Sequence, residues 1–113
     1  MVDAVFSPQQ FEILLSLTDQ DRHGYGIIQD VSDRTRGAVR LGTGALYTAI
    51  GRLATSGLIR ETDQKDEADA RRRYYTLTAT GRRALESEVA RLDALLAQAR
   101  QKGVRPRSIK GRS

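Results

Sequence analysis

Residues Thr43–Thr78 read TGALYTAIGRLATSGLIRETDQKDEADARRRYYTLT, and two changes of pattern within this stretch decide the fold. In its first part Leu46, Tyr47, Ile50, Leu53 and Ala54 recur at helical spacing as far as Gly57. That predicts a helix with Thr43 as N-cap and Gly57 as its C-terminal glycine. Gly51 lies inside it at a cost of about 1 kcal/mol relative to alanine, which weakens the helix or admits a close neighbour. From Leu58 the period changes. Leu58–Asp63 and Arg72–Leu77 read as strands, with Tyr75 and Leu77 alternating onto one face, and the polar residues Gln64–Arg71 between them form a hairpin loop. Thr78 is then placed to cap whatever helix follows.

Upstream, Ser7-Pro8-Gln9-Gln10 is a helix start: a capping serine, a proline at the first helical position and a glutamine where a capping-box partner belongs. Phe11, Leu14, Leu15 and Thr18 make its apolar stripe. A second helix begins near His23-Gly24-Tyr25, carries Ile27, Ile28 and Val31 on one face and fades between Asp33 and Gly37. Arg40-Leu41 reads as a short extended piece. Downstream, Leu85, Val89, Leu92, Leu96 and Ala99 are separated by steps of 4, 3, 4 and 3, a heptad seam with Leu95 beside it. A helix from Ala79 to Gln101 would be roughly 35 Å long, more than so small a domain covers, so the seam asks for a partner helix, here a second copy. The alternative is that it packs on its own domain.

Helix, helix, helix, β-hairpin, helix is the order of a winged helix-turn-helix with a long C-terminal dimerisation helix, a mainly α fold with a small β-hairpin. The expected division is a DNA-binding domain at 1–78, a dimerisation helix at 79–101 and a basic, disordered tail at 102–113.

Charge is informative by position. Of 19 basic side chains five lie in the tail (Lys102, Arg105, Arg107, Lys110, Arg112), which leaves the body with as many bases as its 14 acids. The net charge of +5 is thus a property of the tail. Within the body, Arg34, Arg36, Arg40, Arg52 and Arg60 span a stretch without an acid, five acids follow between Glu61 and Asp69, and then come Arg71, Arg72 and Arg73. Basic segments of this kind can face phosphate, with the acidic loop held away, or they are solvated surface. The chain has no cysteine and one histidine, which excludes disulfides, thiolate metal sites and a histidine cage. There is no apolar run of ~20 residues for a membrane span, and Met1–Ser7 lacks the basic cluster of a signal peptide. No nucleophile–base pair and no phosphate-binding glycine loop is present. A cytoplasmic non-enzyme without cofactor, metal or membrane association is expected.

The chain resembles the PadR-like transcriptional regulators. The shared pieces are His23-Gly24-Tyr25, Gly44-Ala45-Leu46-Tyr47, Arg52-Leu53, Gly57-Leu58-Ile59, Arg73-Tyr74-Tyr75-Thr76-Leu77-Thr78 and Gly81-Arg82, in that order, over about Phe11–Leu96. The resemblance implies a homodimer joined through the last helix, binding to a palindromic operator, and repression released by a small-molecule effector. Where the family often reads Ser-Pro-Gly-Thr before its Leu-Tyr, with proline after the tyrosine, this chain has Leu41-Gly42-Thr43-Gly44-Ala45-Leu46-Tyr47-Thr48. Its operator therefore cannot be carried over from relatives. It also has no tryptophan, which removes the means by which some relatives hold planar drugs.

The third helix is the one to enter the major groove. With Leu46, Ile50 and Leu53 inward, Ala45, Thr48, Ala49 and Arg52 fall on the outer side. Thr48 suits a base edge or a thymine methyl, and Arg52 suits guanine, phosphate or a plain surface ion pair. The full set of expected double-stranded DNA contacts is Tyr25, Arg40, Thr43, Gly44, Ala45, Tyr47, Thr48, Arg52, Arg71, Arg72 and Arg73. Tyr25 and Tyr47 fit equally as packed rings with satisfied hydroxyls, Tyr47 with its ring packed and its hydroxyl at the surface. His23 reads as a packing or capping residue. The expected dimer interface is Leu85, Val89, Leu92, Leu95, Leu96 and Ala99. A winged fold also serves as a protein-docking module without specific DNA binding, and the neutral body and acidic hairpin tip keep that alternative open.

Overall fold

The computed structural model describes residues 6–107. The expected absence of a signal peptide at residues 1–5, and the last part of the basic tail with Lys110 and Arg112, lie outside the described residues. Helix α1 (Pro8–Ser16) is followed by strand β1 (Arg22–His23), helix α2 (Gly24–Arg34), helix α3 (Thr43–Thr55), strands β2 (Ile59–Glu61) and β3 (Tyr74–Leu77), and helix α4 (Ala79–Gln101). No described helix is long and apolar enough to cross a membrane.

Local chemistry sets the ends of these elements. Ser7 and Gln10 form a reciprocal capping box, Gln10 N–H to Ser7 Oγ at 3.1 Å and Ser7 N–H to Gln10 Oε1 at 3.0 Å. His23 caps α2 through Nδ1, which accepts from Gly26 N–H at 3.0 Å. Thr78 caps α4, accepting from Gly81 N–H at 2.9 Å. Its hydroxyl also faces the carbonyls of Gly57 and Leu58 at 2.7 and 3.0 Å, so the residue that starts α4 also closes the turn into β2. That turn depends on Gly57, whose φ of 78° is costly for any residue with a Cβ.

Three expectations need correction. The N-cap of α3 is Gly42, not Thr43: its extended backbone accepts from Leu46 N–H at 2.9 Å, and no side chain caps the helix. Thr43 is therefore the first helical residue. The sheet has three strands in the order β1-β3-β2, because Arg22 and His23 pair antiparallel with Tyr75 and Tyr74. A two-residue strand has no period to read, so this edge was invisible in the sequence. No strand forms at Arg40-Leu41; Leu41 drops into the core instead.

The core joins Ile13, Leu14 and Leu17 of the α1 region to Ile27 and Val31 of α2, to Leu46, Ala49, Ile50 and Leu53 of α3, and to Ile59, Tyr75 and Leu85. In α1 the inner stripe is thus centred on Ile13 and Leu14, with Phe11 and Leu15 at its margin. A polar network braces α1 against α2. Arg34 donates to Glu12 Oε1 and Asp30 Oδ2, both at 2.8 Å, to Ser16 Oγ at 2.9 Å and to Glu12 O at 3.1 Å. Arg34 is therefore a strut, not a phosphate ligand as the acid-free run of arginines suggested. Burial pushes the Asp30 carboxyl up, but hydrogen bonds from Arg34 and Ser16 and the charges of Arg22 and Arg34 outweigh it and hold the group below its ordinary range.

Candidate nucleic-acid interface

The inner face of α3 is spent on the core, which leaves Thr43, Gly44, Ala45, Tyr47, Thr48, Gly51 and Arg52 exposed on the other side. Ala49 is 8% exposed and belongs to the core face, contrary to the expectation that grouped it with Thr48. With no side chain over its N-terminus, the first turn of α3 keeps backbone donors open where the helix dipole favours an anion. An added Cβ at Gly42, Gly44 or Gly51 would meet nothing within 4 Å, so this side is bare. Thr48, Gly51, Arg52 and Thr55 line an open groove of about 730 Å³ together with Tyr47, Ser56 and Gln10 of α1. Gln10, Thr55 and Ser56 were not among the expected contacts; Thr55 was detectable as the residue one turn after Gly51 and two turns after Thr48.

On the other flank a cleft of about 440 Å³ separates α3 from the hairpin. Tyr47, Asp69, Arg71, Arg72, Arg73 and Tyr75 line it. Tyr47 is half exposed, and its hydroxyl lies against Gly24, where any Cβ would collide with it. The expected outward hydroxyl is thus turned across the start of α2. Burial raises the Tyr75 hydroxyl above its ordinary value, assisted by Tyr47 and Glu61.

Each of the three hairpin arginines already faces an acid of this chain. Arg71 Nε is 3.2 Å from Asp69 Oδ1, Arg73 Nη1 is 2.7 Å from Glu61 Oε2, and Arg72 Nη1 is 3.2 Å from Asp66 Oδ2. The Arg71 guanidinium and its backbone N–H hold Asp69 below the usual carboxylate range, while Asp69 raises Arg71 and Glu61 raises Arg73. Asp66 is lowered first by the Ala68 N–H it accepts and then by Arg72. The acids read as a tip held away from phosphate are thus folded among the arginines. Arg40 and Arg52, by contrast, enter none of the ion pairs made by the described residues. Arg52 stands in the α3 groove; Arg40 lies in the α2–α3 loop with Nε 3.4 Å from Gly37 O, and lines neither cleft. Tyr25 is exposed, accepts from Gln29 Nε2 at 3.0 Å and meets Arg72 rather than α3.

The expected seam on α4 divides in two. Leu85 is 5% exposed in the chain's own core, alongside the buried Gly81 and Glu88, and is unavailable to a partner. Val89, Leu92, Leu95 and Leu96 are 38–47% exposed with nothing over them among the described residues, and Ala99 is partly covered. The described part of the tail places Lys102, Arg105 and Arg107 at the surface. Among the described residues no group of side chains is arranged to hold a metal ion.

A family model described as the transcriptional regulator PadR-like family matches residues 13–87. Over 82 residues the chain is 39% identical to an uncharacterized 37.1 kDa protein in transposon TN4556 of Streptomyces fradiae; the match covers 70% of this chain but only 21% of that protein's length. Uncharacterized protein X of Lysinibacillus sphaericus is 33% identical over 78 residues, 68% of this chain and 71% of that protein. Among solved structures, a PadR family transcription regulator from Clostridium difficile R20291 superposes with a TM-score of 0.68 at 26% identity, covering 81% of this chain and 94% of that one.

Proposed function

The chain belongs to the PadR-like family of transcriptional regulators, and on that premise we propose that it is a sequence-specific DNA-binding repressor that acts in the cytoplasm as a homodimer on a palindromic operator. The observation that carries the proposal is the bare outer side of α3. Its uncapped N-terminus, Thr48 and the unpaired Arg52 stand on an exposed helix of a winged fold, with the hairpin arginines across a cleft. In this arrangement α3 enters the major groove, Thr48 and Arg52 read base edges, Thr43, Gly44 and Ala45 present backbone donors to phosphate, and Tyr47 and the hairpin contact the flanking backbone. Val89, Leu92, Leu95 and Leu96 join two copies. Residues 1–78 and 79–101 differ in role but share a core, since Gly81, Leu85 and Glu88 are buried with the rest. Residues 102–113 add sequence-independent attraction. Release by a small-molecule effector rests on family membership alone.

The test is binding to a labelled duplex from the chain's own upstream region, against scrambled competitor, across a salt series. Preference for the native duplex and an affinity that falls steeply with salt are expected. Replacing Thr48 and Arg52 together by alanine should remove that preference and leave the fold intact; unchanged affinity in the folded double variant would sink the assignment of α3. One observation favours a second reading, a protein-docking module: all three hairpin arginines have acidic partners within the chain. Capture of a single stable partner by a folded protein that shows no salt-sensitive DNA binding would establish it.

A further inference from the structure

The loop from residue 62 to residue 73 joins β2 to β3 over 12 residues without secondary structure of its own, a length at which a loop needs an anchor to keep one position. The anchor is a cluster at the start of α2. Arg72 Nη1 lies 3.2 Å from Asp66 Oδ2 and 3.2 Å from His23 Nε2, and its guanidinium carbon is 5.8 Å from the centroid of the Tyr25 ring. The His23 ring stacks on Tyr25 at an interplanar angle of 22° and meets Tyr74 edge-on at 5.1 Å. Because His23 Nδ1 accepts from Gly26 N–H, the neutral ring carries its proton on Nε2, which lies 3.8 Å from Asp66 Oδ2. Arg72 therefore reaches the cluster through the carboxylate and the aromatic face and gives no hydrogen bond to the ring.

Exposure separates this pair from its neighbours. The Asp66 side chain is 11% exposed, against 33% for Asp69 and 47% for Glu61; Arg72 is 40% exposed, against 91% for Arg71 and 66% for Arg73. Surface pairs such as Arg71–Asp69 and Arg73–Glu61 are weak and screened, so either arginine trades its carboxylate for a phosphate at little cost. Arg72 gives up a shielded carboxylate and a ring face if it leaves.

We infer that Asp66, Arg72, His23 and Tyr25 form a clasp that sets the position of the hairpin beside α3, so that Arg72 is a positioning residue and Arg71 and Arg73 are the hairpin's phosphate contacts. This rests on the DNA-binding reading of the same face. It reverses the sign expected for one substitution. Asp66→Ala removes a negative charge from beside a polyanion site and on electrostatics alone should tighten binding. With the clasp, it weakens binding.

The experiment uses the full chain with Asp66→Ala, Asp66→Asn, Arg72→Ala, Arg71→Ala and Asp69→Ala. It measures affinity for the upstream duplex across salt, and backbone amide exchange of residues 62–73 in the free protein. Asp66→Asn keeps an acceptor for Ala68 N–H and so separates the clasp from the local turn. Both Asp66 variants and Arg72→Ala should bind roughly tenfold more weakly, the scale of ordering a loosened loop that still brings Arg71 and Arg73 onto phosphate in the complex, and should exchange faster across 62–73. Asp69→Ala should bind at least as tightly as the parent chain. Arg71→Ala should lower the slope of log K against log salt by about 1.8, the value for one phosphate in each of two subunits, while Arg72→Ala leaves the slope unchanged. Equal or tighter binding by the Asp66 variants, a slope change in Arg72→Ala equal to that in Arg71→Ala, or unaltered exchange in all three clasp variants each overturns the inference. A parent chain without salt-dependent preference for the duplex would overturn the DNA-binding reading instead, and the exchange measurement would still decide whether the clasp exists.

Discussion

At the scale of single residues, two glycines with the same side chain carry opposite expectations. Gly81 sits in the first turn of α4 where a Cβ would collide with the carbonyl of Leu58. Gly81→Ala must push α4 off β2 or bend the turn, and should destabilise the fold by about 1–3 kcal/mol, read as a lowered urea midpoint. Gly51 has open space where its Cβ would be, so Gly51→Ala should raise stability by up to about 1 kcal/mol in the same assay through helix propensity alone. The sequence marks both as helical glycines and cannot tell them apart, because the difference lies in a backbone carbonyl brought in from 23 positions upstream. Ala49 shows a related blind spot. It lies three residues after Leu46 and four before Leu53, on the core side, but a methyl group is too small to declare a side by its chemistry. Thr48 and Arg52 were legible because they are polar and one turn apart.

At the scale of elements, α1 and α2 are held by Arg34 as much as by Ile13 and Val31. Arg34→Ala removes four hydrogen bonds and leaves Asp30 with Arg22, at 3.5 Å, as its one ion-pair partner; a loss of about 2 kcal/mol in unfolding free energy is expected. The same network sets an acid dependence. The Asp30 carboxyl is held below its ordinary value of 3.8 in the folded chain. A carboxyl with a lowered folded-state pKa binds fewer protons folded than unfolded, so its stabilisation is complete above the ordinary value and is lost as the pH falls through the lowered one. The difference in urea midpoint between the parent chain and Asp30→Asn should therefore be constant near neutrality and shrink below about pH 4. Capped helices with strong periods, α1, α2 and α4, were readable within a residue or two because Ser7, His23 and Thr78 signal locally. Strand β1 was not, since Arg22 and His23 are extended only because Tyr74 and Tyr75 lie beside them. The start of α3 was displaced by one residue for the opposite reason: Thr43 is a good local cap, yet the backbone of Gly42 takes the position first.

At the scale of the molecule, a radius of gyration of 16.0 Å exceeds the roughly 13 Å of a compact chain this long. Part of the excess is α4, whose second half runs beyond the core. Introducing glutamate at Leu92 and Leu96 should leave helix content and the urea midpoint of the body close to the parent chain. By sedimentation these variants should be monomers; a dimer that survives them is joined elsewhere. The heptad steps announced this helix but not where its own core lets it go, because Leu85 and Leu92 look alike until Gly81 and Leu58 fix which side α4 turns inward. That contact has a mechanical meaning. Residues 89–101 form a stem about 20 Å long at 1.5 Å per residue, and a tilt of about 10° at its base would carry its far end some 3–4 Å, close to the rise along the duplex axis from one phosphate of a strand to the next, about 3.4 Å. If two such stems bind each other, the point near Glu88 where α4 leaves its own core, held in place by the Gly81–Leu58 contact, acts as a fulcrum. The gap between the two bodies is then geared to a small bend at that point.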